Sequence, residues 1–127
     1  MAHVQVNGFR ELLARKAVEL AGELRRRDAL AFEQSAEQMD AAQFACEREV
    51  ALRIVDRESA QLREVKAALL RVRAGRFGMC VECDSPIGVR RLAAVPWASR
   101  CIACQDVFDR DLRLGAEPLS AALVEAV

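Results

Sequence analysis

Four of the five cysteines fall into two pairs, Cys80-Val81-Glu82-Cys83 and Cys101-Ile102-Ala103-Cys104, with seventeen residues between them. Two such pairs at this separation are the pattern of a four-thiolate zinc site, in which each pair occupies a tight turn and the two turns together supply a tetrahedron of sulfurs. A redox dithiol or a structural disulfide would account for one pair but not for two at zinc-finger spacing. Four thiolates fill the coordination shell and leave no position for water. The expected cofactor is therefore one structural Zn2+ per chain, held by Cys80, Cys83, Cys101 and Cys104. No catalytic residue is expected. The single histidine, His3, precludes a Ser, His and Asp set, and the chain has no phosphate loop. The fifth cysteine, Cys46, lies more than thirty positions from the others and reads as a small apolar helix residue.

The rest of the chain must position this site. In its 127 residues, 19 basic side chains balance 19 acidic ones. No net charge is available to drive indiscriminate binding to nucleic acid or to an anionic membrane. There is no signal peptide and no apolar run near 18 residues, and the paired thiols suit a reducing compartment, so a cytoplasmic protein without membrane contact is expected. Aromatics are scarce, five Phe and one Trp, while Ala, Glu, Arg and Leu dominate. That is the composition of long helices.

Residues 1–8 read as a flexible leader. From Phe9 onward, Leu13, Ala17, Leu20 and Leu24 recur at alternating steps of four and three, an apolar helical seam. The basic run Arg25-Arg26-Arg27 on this helix reads as a solvated face. Near Ser35 the seam loses its register. Ser35 to Gln38 and Asp40 to Gln43 both have the form of a capping box, so a second helix starts here and runs to about Ala74, with Gly75 as its stop. Its seam is Phe44, Ala51, Val55, Leu62, Val65, Leu69 and Val72, interrupted by Arg48 and Glu58. Two seamed helices with no globular core between them must bury their stripes against each other. The expected fold is mainly α: a long antiparallel coiled-coil hairpin over 9–75 with its tip at about 35–42, the second helix about 34 residues and roughly 50 Å long. A C-terminal four-cysteine zinc finger with a short terminal helix follows over 76–115, and then a tail over 116–127. Within the finger, Gly78 turns the backbone into the first knuckle, Pro86 and Pro96 bound an apolar and basic stretch, and a helix is expected from Ile102 to about Leu114, with Ile102, Val107, Phe108 and Leu112 available to pack on the knuckles.

Phe77-Gly78-x-Cys80-x-x-Cys83, Ile87-Gly88-x-Arg90-Arg91-Leu92-x-Ala94-x-Pro96 and Cys101-Ile102-x-Cys104, behind a long helical hairpin, resemble the DksA/TraR family of bacterial transcription factors. The resemblance covers nearly the whole chain, from Phe9-Arg10-Glu11-Leu12-Leu13 to the helix after Cys104. It implies binding to RNA polymerase rather than to specific DNA, with the coiled-coil tip inserted through the secondary channel toward the active site. The family's tip motif, Asp-x-x-Asp-x-Ala, falls on Glu37-Gln38-Met39-Asp40-Ala41-Ala42. Asp40 and Ala42 match, and Glu37 keeps the first charge on a longer arm. Asp40 also has the chemistry of an N-cap. Arg57 matches a basic residue of the family's second helix, and Arg90 and Arg91 are further candidates for polymerase contact. Where larger members carry basic contacts to guanosine tetraphosphate, this chain has Glu64, Val95 and Gln105, so no nucleotide-binding residue is expected. The chain is expected to act as a monomer. Two other classes fit the residues: a zinc-ribbon coiled-coil adaptor or dimerisation protein that does not act on polymerase, and a nucleic-acid-binding finger using Arg90, Arg91 and Arg100.

Overall fold

A computed structural model describes residues 3–36 and 41–115. Four helices follow one another: α1 (His3–Ala36), α2 (Ala41–Arg73), α3 (Val89–Ala94) and α4 (Ile102–Gly115). Among the described residues the only extended pairing is an isolated antiparallel bridge between Met79 and Pro86. The chain divides into two compact units between Phe77 and Gly78.

In the first unit, α1 and α2 pack on one another as an antiparallel pair. The direction is fixed by two contacts. The ring of Phe9 lies 5.4 Å from that of Phe77, and Arg27 meets Glu58, so positions rise along one helix as they fall along the other. Leu13, Leu20, Val65 and Ala68 are buried and form the centre of the seam. Ala17, Leu24, Val55, Leu62, Leu69 and Val72 are half-buried, while Ala51 and Arg48 are exposed. Ala68, outside the expected seam residues, is fully buried with them.

The expected leader over 1–8 is corrected by α1, which already includes His3. Val4, Val6 and Gly8 are weak helix formers, but no proline interrupts them, and extending a formed helix needs only one new hydrogen bond for each residue fixed. At the other end, α2 stops in a Schellman motif. The Arg76 N–H donates to the Arg71 carbonyl at 2.8 Å and the Gly75 N–H to the Val72 carbonyl at 3.2 Å, with Gly75 at φ 71°. The hairpin unit runs two residues past this stop, to Phe77, because the Phe77 ring packs on Phe9. The tip residues 37–40 and the tail 116–127 lie outside the described residues.

The solvated face expected over Arg25 to Arg27 and the interruption expected at Glu58 are corrected at one pair. Arg27 grips Glu58 with two hydrogen bonds, Nε to Oε2 at 2.9 Å and Nη2 to Oε1 at 2.8 Å. The hydrogen bond from Arg27, aided by its charge and that of Arg26, holds the Glu58 carboxyl below its usual range despite some desolvation. Arg26 pairs within its own helix with Glu23.

Candidate metal centre

The second unit is built around the cysteines. Gly78, at φ 83°, reverses the chain, and the Ile87 N–H donates to its carbonyl at 2.7 Å. This closes a small loop around the first pair. Inside it the Cys80 N–H donates to the Ser85 carbonyl at 2.8 Å and the Asp84 N–H donates to the Cys80 carbonyl at 3.0 Å, with Asp84 in the left-handed region at φ 59°. Aspartate is among the side chains that tolerate this conformation. The second pair sits at the start of α4. The Cys101 carbonyl accepts the first helical bond from the Gln105 N–H at 2.8 Å, so Cys101 caps the helix and Cys104 lies in its first turn. A backbone bond from the Val81 N–H to the Ser99 carbonyl, 2.9 Å, joins the two turns.

The result is a cluster in which all four sulfurs lie within 4.8 Å of one another. The Cys83 and Cys101 sulfurs are 3.8 Å apart. Sulfurs at about 2.3 Å from a tetrahedral zinc would stand about 3.8 Å from each other, so this spacing fits the ion. Cys80 is buried, Cys101 and Cys104 are half-buried, and Cys83 is exposed. Their acidities are pulled apart. Burial pushes the Cys80 thiol up, but the backbone N–H groups of Cys83, Cys101 and Glu82 outweigh it and bring the thiol down to about 6. The Ser85 hydroxyl and backbone lower Cys83. Cys104, facing Cys101, Cys83 and Cys80, is pushed up to about 12. Proximity of the sulfurs disfavours the last ionisation, and a divalent cation relieves that repulsion.

Around the cluster, Ile87, Leu92, Pro96 and Ala98 are buried. Leu92 is carried by α3, about a turn and a half of helix within the expected apolar and basic stretch. It forms between Gly88 and Pro96 because burying Leu92 secures it. The α4 residues expected to pack on the knuckles do not: Ile102, Val107 and Leu112 are exposed, and Phe108 is covered on one face by Arg100. The Arg100 guanidinium stands 3.9 Å from the Phe108 ring centroid and pairs with Glu82 at 3.3 Å, linking both cysteine turns to α4.

Arg91 is half-buried and donates Nε to the Arg100 carbonyl at 3.0 Å, while Arg90, on the same helix, is exposed. Arg57 is exposed on α2. Of the tip set, Glu37 and Asp40 lie outside the described residues; Ala42 is on α2, which begins at Ala41. Of the three positions aligned with nucleotide contacts, Glu64 is exposed on α2, Val95 caps α3, and Gln105 donates to Asp109 at 2.9 Å. Cys46 is exposed on α2 and stands outside the cysteine cluster. The residues missed in sequence are Glu82 and Arg100 as a clasp, and Arg27 with Glu58. Signals for the latter existed. Arg27 continues the spacing Leu20, Leu24, and Glu58 falls between Val55 and Leu62, so opposite charges sit on facing seams.

Comparison with known proteins agrees with this geometry. The profile of the prokaryotic dksA/traR C4-type zinc finger matches residues 75–110, which contain all four cysteines. The chain is 32% identical over 112 residues to the RNA polymerase-binding transcription factor DksA of Escherichia coli, a match covering 86% of this chain and 74% of that one. With the protein of the same name from Caulobacter vibrioides it shares 34% over 82 residues, 65% of this chain and 58% of the relative. It spans less than two thirds of the length of several curated relatives. The solved structure of transcription factor DksA2 from Pseudomonas aeruginosa superposes with a TM-score of 0.77 at 30% identity, covering 89% of each chain. The helical hairpin, the four-thiolate zinc finger and these likenesses together place the chain in the DksA/TraR family.

Proposed function

We propose that the protein is a non-enzymatic regulator of transcription that binds RNA polymerase as a monomer, passes its α1–α2 hairpin into the secondary channel, and presents the turn at the active site. The observation that carries this reading is the hairpin. An α2 of 33 residues is about 50 Å long, and two packed helices are about 20 Å across, a probe slender enough for a channel and long enough to act at a distance from its base. The relatives named as RNA polymerase-binding transcription factors support the choice of partner. Net charge of zero supports a protein partner over DNA. Glu37 and Asp40 supply the acidic groups of the tip beside Ala42, and the exposed Arg57 and Arg90 supply contacts with polymerase. Arg91 is assigned mainly to closing the finger, since its Nε is engaged by the Arg100 carbonyl.

A photo-crosslinking residue at Ala42 tests the placement. In complex with purified polymerase it should attach to segments lining the active-site end of the secondary channel. Attachment only to outer surfaces, or no complex at all, would overturn it.

A further inference from the structure

We propose that Arg27 and Glu58 form a register lock, a pair of positioning residues that admits one alignment of α1 against α2 and thereby decides which residues form the connection between them. Three observations converge on it. The pair bridges α1 and α2, whereas those of Lys16 with Glu19, Arg26 with Glu23 and Arg53 with Glu49 lie within one helix. The contact is a two-pronged fork, and its members are withdrawn from solvent, with side-chain exposures of 34% for Arg27 and 18% for Glu58. Both residues take the place of apolar ones on their seams.

An apolar seam alone specifies register poorly. Leu, Val and Ala recur every three or four residues on both helices, so sliding α2 by one turn exchanges one aliphatic contact for another. The charged pair removes that degeneracy. Sliding in one direction sets Arg27 against Ile54 or Val55 and brings Glu58 to Glu23 or Leu24. Sliding in the other sets Arg27 against Gln61 or Leu62 and brings Glu58 to Leu30. Each alternative leaves two half-buried charges without their partners, and the first also brings Glu58 toward a like charge, Glu23. Loss of one partner from such a pair is costly even where the pair itself adds little net stability. Arginine suits the task because its planar fork fits a carboxylate in a narrow range of positions.

The test separates register from stability. Spin labels would be attached at the exposed Val18 and Leu52 by chemistry that spares cysteine, and their separation measured by pulsed electron resonance in the zinc-loaded full chain. The wild-type chain should give a single distance. The Arg27→Met and Glu58→Met double variant, an apolar replacement of similar volume, should melt no lower yet add a second population shifted by about 5.4 Å, one helical turn. The charge exchange Arg27→Glu with Glu58→Arg should restore one distance, and either exchange alone should not. A Met pair that keeps the single wild-type distance would show that the apolar seam sets the register and would overturn the proposal. Should the Met pair fail to fold, Arg27→Gln with Glu58→Gln gives the same readout with neutral side chains.

Discussion

Without its metal, a cluster of four thiols is a set of competing acids. Cys80 ionises readily, held by backbone N–H groups, while Cys104 keeps its proton up to about 12 because its neighbours are sulfurs. Zinc must displace that proton. Lowering the pH strengthens the proton's side of the competition, so zinc affinity should fall by about tenfold or more per pH unit, as chelator competition at about pH 6 and about pH 8 would measure. Cys83→Ser removes one ligand and should lower the metal content from near one per chain, with loss of helical signal from the finger on chelation. Arg100→Ala should lower the stability of the zinc-loaded protein by about 1 kcal/mol, the sum of a partly exposed ion pair and a cation over a ring, with Arg100→Lys recovering part of it in thermal melts. At this scale the metal ligands were legible in the sequence because zinc spacing is a local pattern. Arg91 and Arg100 were not. Their partners, the Arg100 carbonyl for one and Glu82 with Phe108 for the other, come together only when the two cysteine turns close.

Among the elements, the hairpin was readable from its seam spacing, since Leu13, Leu20 and Val65 are all buried as the period requires. The start of α1 was not, because helix extension by a few weak formers depends on the stability of what they extend. Nor was α3, whose six residues are too few to show a period and which depends on burial of Leu92. The stop of α2 was legible because only glycine adopts φ 71° without penalty. Gly75→Ala should therefore destabilise the chain by about 1 kcal/mol through backbone strain, since space for a methyl group is open, and Gly75→Asn should cost less. Leu20→Ala empties a buried seam position and should cost about 2–5 kcal/mol in denaturant unfolding. Neither residue is one of the four sulfur ligands, so zinc content should stay near one per chain.

For the whole molecule, the proposed function rests on the reach of the hairpin, while the zinc finger is a unit of its own. No described helix is long and apolar enough to cross a membrane. Response to guanosine tetraphosphate is expected to be weak. Glu64, Val95 and Gln105 offer it no cation, and each charge-assisted bond forgone forfeits about 1.5–3 kcal/mol. The protein should act on polymerase to the same extent with or without the nucleotide, checked by titration into reactions with a polymerase whose own separate nucleotide site has been disabled; a strong nucleotide-dependent increase would show that other basic residues rebuild the pocket. The most direct test of the central claim is transcription by purified polymerase from a ribosomal-type promoter, comparing the wild-type protein with Asp40→Asn, which retains an N-cap acceptor but loses the charge. The account predicts that wild-type protein changes transcript yield, and that Asp40→Asn melts at the same temperature and still binds polymerase but leaves the yield unchanged. A wild-type protein that neither binds polymerase nor alters the yield would contradict it.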